Sequence, residues 1–204
     1  MSQFIGPGNS VPFISQIDEV KDPEWQDRFC GIVSVYMVLA YWWSRKAIPS
    51  HPGLDAVSSY GFKIDGYSDG VGWVHAKLAD VARYYKHPAV VRSWFIRDND
   101  IKIMRNQSRL DSSHEMDLYA GQVMREFVMT LEQHLHEDVP VILSVKPKFG
   151  NNGDNHLVVV TGISEDATKV TVHDPQTHAD DANKVVSMSK LLEYSNYNAI
   201  IIYS

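Results

Sequence analysis

The chain holds a single cysteine, Cys30, which stands beside a glycine at the head of the apolar run "CGIVSVYMVLAYWW". A lone cysteine there is either a small buried hydrophobe, a common fate of a free thiol, or a nucleophile. Two acid–base residues bear on the choice. His156 opens the stretch "HLVVVTGI" and Asp174 closes "KVTVHD", with "SEDAT" between them. If the two stretches form a hairpin in which Ile163 pairs with Thr168 or Lys169, His156 falls opposite Pro175 or Gln176. Asp174 then lies one or two places from that partner. Cross-strand neighbours hold their Cβ atoms about 4.5–5.5 Å apart, close enough for a carboxylate to orient an imidazole. A thiol at a helix N-terminus feels the positive end of the helix dipole, which favours thiolate. A histidine could take its proton, and an aspartate could fix the histidine's tautomer. Acyl chemistry also needs donors for an oxyanion. The Cys30 N–H is one, and an amide ahead of the helix, Gln16 or Gln26, is another.

These residues must be positioned by the elements around them. Residues 11–16, "VPFISQ", read as a short extended piece, and "IDEVKDPEWQDRF" as a loop. Asp27 is placed to cap a helix that begins at Phe29 or Cys30 and runs to about Trp43. That helix is apolar on every face and is expected to be central and covered all round. A short helix is expected over 54–60 and an amphipathic one over 73–86, with Val74, Leu78, Val81 and Tyr85 on one face. Residues 89–96 read as a strand, 97–117 as a polar excursion and 118–138 as a long helix. Strands follow at 139–145, 156–163, 169–175 and 198–204, with a turn-rich loop at 146–155. Helices first and strands later predict an α+β fold with an antiparallel sheet.

Composition excludes several classes. A net charge of −6 leaves no basic footprint for nucleic acid. One cysteine excludes an internal disulfide framework. Nine histidines come with no HExxH or CxxC pair, so no metal site is expected, and no cofactor. "GYSDGVGW" lacks the lysine and preceding strand of a phosphate loop and reads as a flexible loop near the cleft. Trp42, Trp43 and Trp73 could line a substrate cleft but read as core, and His173 as facing the opposite side of its strand from Asp174, a poor competitor for the base. The N-terminus has no signal-peptide pattern, and the longest apolar run is too short to span a bilayer. A cytoplasmic protein without membrane insertion is expected, with 1–204 as a single domain and the first ten residues frayed.

Four motifs in order, "VPFISQ", "CGIVSVYMVL", "NHLVVVTGI" and "VTVHDP", resemble the C39-like peptidases. These are papain-fold cysteine enzymes related to the domains that trim double-glycine leaders from bacteriocin precursors. The family order Gln, Cys, His, Asp matches at Gln16, Cys30, His156 and Asp174. The resemblance covers the first 45 residues and about the last 85, and "LEQHLHEDVPVILSV" is similar to the family's approach to its histidine strand. It implies a central N-terminal helix packed on an antiparallel sheet. It also implies a cysteine peptidase acting on a peptide or protein through a Cys30 acyl-enzyme, with Gln16 on the oxyanion. An acyltransferase or amidase on the same triad, or a non-catalytic peptide-binding module, is the alternative. The chain departs from the family at Asn155, where glycine is common before the histidine. It also departs in the fourteen-residue gap from Gln16 to Cys30 and in the lack of a proline after Cys-Gly.

Overall fold

The computed structural model describes residues 3–94, 113–146 and 155–204, with the backbone alone for 113–117. The expected polar excursion falls largely outside these residues, as do the end of the strand at 89–96 and most of the loop at 146–155. The elements in chain order are β1 (Phe4–Ile5), α1 (Gln16–Glu19), α2 (Pro23–Gln26), α3 (Cys30–Arg45) and α4 (Leu54–Lys63). A small hairpin of β2 (Tyr67–Ser68) and β3 (Gly72–Trp73) leads to α5 (His75–Tyr84) and β4 (Ala89–Ser93). Then come α6 (Ser113–His136), β5 (Val141–Val145), β6 (His156–Ser164), β7 (Lys169–His173), β8 (Lys184–Ser187), α7 (Met188–Tyr194) and β9 (Ser195–Ile202).

The main sheet is antiparallel in the order β4-β9-β5-β6-β7-β8, and β1 joins it through the far end of β6. Its inner strands β5 and β6 are buried at every residue. They are β-branched and apolar because water reaches neither face. The helix α3 lies against β6 and is covered elsewhere by α4 and α5. Twelve of its sixteen residues are buried, so its all-round apolar sequence matches its central place. One polar group on this helix is buried to a purpose. Ser34, one turn below Cys30, donates its hydroxyl to the Leu157 carbonyl at 3.3 Å, which ties α3 to β6 beside His156.

Several local expectations are corrected. The segment read as a loop after residue 16 contains two short helices. Ser15 Oγ accepts from the Ile17 and Asp18 N–H groups at 3.2 and 3.1 Å, and Asp22 Oδ1 accepts from Glu24 N–H at 3.0 Å ahead of Pro23 at the first helical position. The Asp and Pro of that polar segment are start signals, and Ser15 at the end of the extended piece is another. Asp27 does not cap α3; it ends α2, and Phe29 is the N-cap of α3 without a side-chain hydrogen bond. Trp73 belongs to the hairpin, not to α5. The end of the 169–175 stretch leaves the ladder after His173, because Asp174 and Pro175 turn away into a tight bend. The strand β8 and helix α7 were not expected, although Ser187 caps α7 by accepting from Lys190 N–H at 3.3 Å. Near the N-terminus, Phe4 and Ile5 pair with Ser164 and Ile163 where fraying was expected.

The hairpin of β6 and β7 carries an irregularity that matters for the site. Ile163 pairs with Val170, not with Thr168 or Lys169, and Gly162 pairs with Thr171. The register then slips by one across Thr161, so that Val160 pairs with Val172 and Val159 with His173. Continued past the end of β7, this register puts Asp174 opposite Val158, two places from His156 and on the same face. Without the bulge Asp174 would stand opposite Val159, three places from His156, and would face away from it. Thr161 fills the bulge, and its hydroxyl shares a 3.1 Å hydrogen bond with that of Thr171. Only a glycine fits beside it, because a Cβ on Gly162 would lie 2.7 Å from Thr171 Oγ1.

Candidate active site

Cys30 is the first residue of α3 and is partly buried. Its N–H is one of the N-terminal donors that no helix carbonyl can satisfy. His156 opens β6, 3 % exposed, and Asp174 is 2 % exposed. His156 Nε2 and Asp174 Oδ1 are 2.6 Å apart. That contact uses Nε2 and leaves the other ring nitrogen, Nδ1, available to the Cys30 side chain, which favours the charged imidazole. Burial by itself pushes the imidazole pKa down. The hydrogen bonds to Asp174 and Cys30, with the negative charge of both, outweigh it and raise His156 from 6.5 to about 9. Burial would raise Asp174, but the hydrogen bond and charge of His156 prevail. The Gln176 N–H and the charge of Lys184 add to them, and the carboxyl is held below its usual range.

The bend after β7 fixes the carboxylate. Gln176 N–H donates to Asp174 Oδ1 at 3.0 Å, and the Thr177 hydroxyl donates to the Asp174 carbonyl at 2.8 Å. The next carbonyl, of Pro175, accepts from the Gln16 N–H at 2.8 Å. Gln16 is thus tied to the neighbour of Asp174, and it is fully buried. Its Nε2 donates to the Gln26 carbonyl at 2.5 Å, which leaves that nitrogen a second hydrogen. Gln26 is committed elsewhere. Its Nε2 donates to the Ile17 and Val20 carbonyls at 3.1 and 2.9 Å and so closes the end of α1.

His173, one residue from Asp174, sits on the opposite face, as expected. Its Nε2 faces the Val11 carbonyl at 3.0 Å, and its Nδ1 accepts from Asn183 N–H at 3.2 Å. Those two contacts hold it as the neutral Nε2–H tautomer, and burial lowers its pKa. They also anchor the extended piece that leads to Gln16.

A cleft of about 320 Å³ opens on Cys30, lined among others by Tyr67, Trp73, His75, Asn155 and Leu157. The stretch "GYSDGVGW" therefore does border the cleft, as a hairpin wall. Trp73 is buried, as expected of core, yet also lines the cleft. A larger hollow of about 540 Å³ beside α1, α2 and α4 contains none of Gln16, Cys30, His156 and Asp174. Sequence reading missed Ser34, and it weighed cleft lining by Trp73 below a core role. The glycine after Cys30 was the available signal for Trp73, because a Cβ at Gly31 would lie 2.7 Å from the indole's Cβ and Cγ. Among the described residues no group of three His, Cys, Asp or Glu side chains could hold a metal ion. Among the same residues no helix is long and apolar enough to cross a membrane.

None of the curated proteins matches the chain. Solved structures do. The peptidase domain of Streptococcus ComA, a bi-functional ABC transporter involved in a quorum sensing pathway, superposes with a TM-score of 0.55 at 14% identity. The match covers 95% of this chain and 98% of that domain. A double glycine motif protease from an AMS/PCAT transporter, solved in complex with the leader peptide, gives a TM-score of 0.51 at 16% identity. It covers 99% of this chain and 98% of that one. The fold is thus the α+β, papain-like fold of C39 peptidase domains. The model of the Peptidase_C39 like family matches residues 9–201. The chain belongs to the C39-like peptidase family.

Proposed function

We propose that the protein is a cysteine peptidase that cleaves a peptide or amide bond through an acyl-enzyme on Cys30. The observation that carries this reading is the 2.6 Å pair of His156 and Asp174, all but closed to water, whose imidazole feels the charge of Cys30 at the head of α3. In this reading Cys30 Sγ attacks the carbonyl carbon of the substrate. The carbonyl π pair moves onto oxygen, and the Cys30 N–H and Gln16 Nε2–H stabilise the oxyanion. When it collapses, the C–N bond breaks and His156 gives its Nδ1 proton to the leaving amine. Water then attacks the thioester while His156 takes its proton; the acid leaves and Cys30 is regenerated. Asp174 keeps the ring in the tautomer and orientation that both steps need. The leader peptide bound by the PCAT protease makes a peptide segment the substrate class to test first.

A peptide aldehyde tests the reading directly. Intact-mass analysis should find one adduct, mapped to Cys30 and missing in Cys30→Ala. N-terminal profiling of a proteome digest should give new termini with the wild type that the Cys30→Ala variant does not produce. A stable, folded wild type that forms no adduct and yields no termini would leave a binding module of the same fold.

A further inference from the structure

The entry to α3 is held in an unusual way. Its N-cap, Phe29, offers no side-chain acceptor, and Asp27 instead accepts from Gln176 Nε2 at 3.4 Å. The chain is fixed from the carbonyl side. Trp73 Nε1–H donates to the Arg28 carbonyl at 2.7 Å, and the Arg28 N–H donates to the Trp25 carbonyl at 2.9 Å. Both polar groups of that peptide residue, two before Cys30, are thereby committed. On the other side of Cys30 the same indole packs on Gly31, with no room for a Cβ. The ring is 7% exposed and wedged among Phe29, Phe62 and Tyr67, with centroids at 6.2, 5.3 and 5.6 Å.

We propose that Trp73 is a positioning residue for the start of α3. It fixes the backbone on both sides of Cys30 and so aims the Cys30 N–H into the cleft while leaving it unoccupied. This rests on the reading of Cys30 as the nucleophile. It predicts that the indole matters for a reaction that passes through an oxyanion and not for one that does not.

Two reagents separate these. p-Nitrophenyl acetate acylates a thiol through a tetrahedral oxyanion; iodoacetamide alkylates it by displacement at a saturated carbon. Trp73→Phe keeps an aromatic ring and removes the Nε1–H. Acylation of Cys30, read as the nitrophenolate burst above a Cys30→Ala background, should fall about tenfold. Alkylation at the same pH should stay within about twofold, with the thermal midpoint showing that the variant is folded. Trp25→Phe is the control, because it removes an indole from the same aromatic cluster and should leave both rates near those of wild type. Unchanged acylation in folded Trp73→Phe overturns the proposal, as does an equal fall of both rates or an equal loss in Trp25→Phe. A wild type inert to both reagents is a different failure, that of Cys30 as nucleophile, and it removes both readings.

Discussion

At the scale of single residues, the roles of His156 and Asp174 differ. In the proposed reaction His156 is the acid and base of every proton step, whereas Asp174 orients it. His156→Ala should abolish turnover, and Asp174→Asn should leave a measurable remnant, because an amide can still hold the ring. Single-turnover rates on the two folded variants check this; equal and total loss in both would give Asp174 more than an orienting role. Cys30 should react with iodoacetamide in the native state at pH 6 far faster than a free thiol, and His156→Ala should slow it. The only cysteine in the chain makes the label unambiguous. With His156 raised to about 9, its cationic form persists well above neutrality, so kcat/KM should decline only as the pH rises through about 9. A pH–rate profile that already falls near 6.5 would contradict the ion-paired arrangement.

At the scale of elements, α1 and the β6–β7 hairpin carry the site. Gln16 and Gln26 sit at opposite ends of the same small assembly, one tied to Pro175 and the other closing α1. Gln16→Ala should lower kcat by about 10²–10³ if its amide serves the oxyanion. Gln26→Ala should act mainly on stability, by about 1 kcal/mol for the hydrogen bonds lost. Kinetics and melting of the pair separate these effects, and a large kcat loss confined to Gln26→Ala would reverse the assignment. The bulge at Thr161 gives a second test. In Gly162→Ala the new Cβ meets Thr171 Oγ1 at 2.7 Å, so the Thr171 side chain or the strands must shift. A loss of about 1–3 kcal/mol is expected from the crowding. A drop in the alkylation rate of Cys30 should accompany it, because the face shared by His156 and Asp174 depends on that bulge. Denaturant melts and labelling on one preparation read both.

At the scale of the whole molecule, buried histidines shape the response to pH in two directions. His156 titrates at about 9 in the folded state against 6.5 in a free chain. Its stabilisation is complete below 6.5 and is lost as the pH rises through 9. His75, His87, His134 and His173 have their pKa values lowered, chiefly by burial. Their neutral forms stabilise the fold above 6.5, and that stability is lost as the pH falls through their folded values. Asp174, lowered from 3.8, adds to the acid limb only below that pH. The thermal midpoint should therefore peak near pH 6.5 and fall on both sides. In His156→Gln the alkaline decline between 6.5 and 9 should flatten while the acid limb stays. A monotonic rise of the midpoint up to pH 9 in the wild type would be inconsistent with a charged, buried His156.

The sequence alone determined whatever is local or periodic. The apolar run after Cys30 read as a covered helix, and the β-branched stretches at 139–145, 156–163, 169–175 and 198–204 read as strands. Burial on all sides leaves that imprint whatever the neighbours are. The order Gln16, Cys30, His156, Asp174 was legible, with the element types of Cys30 and His156, and so was the opposite facing of His173, which follows from the two-residue period of a strand. Register was not. The hairpin closes one place from where its turn residues placed it, and the bulge restores the parity that turns Asp174 toward His156. A bulge leaves little trace in a sequence beyond a glycine, because its cause is the crowding of Thr171 and β1 around that spot. Only tertiary contacts tell the amides of Gln16 and Gln26 apart: the Gln26 nitrogen donates to two backbone carbonyls and the Gln16 nitrogen to one. The same holds for the start of α3, where a capping acid was expected at Asp27 and an indole from forty-five residues away holds the chain instead. Propensity acts on neighbours along the chain, whereas the donors that complete this site arrive across it.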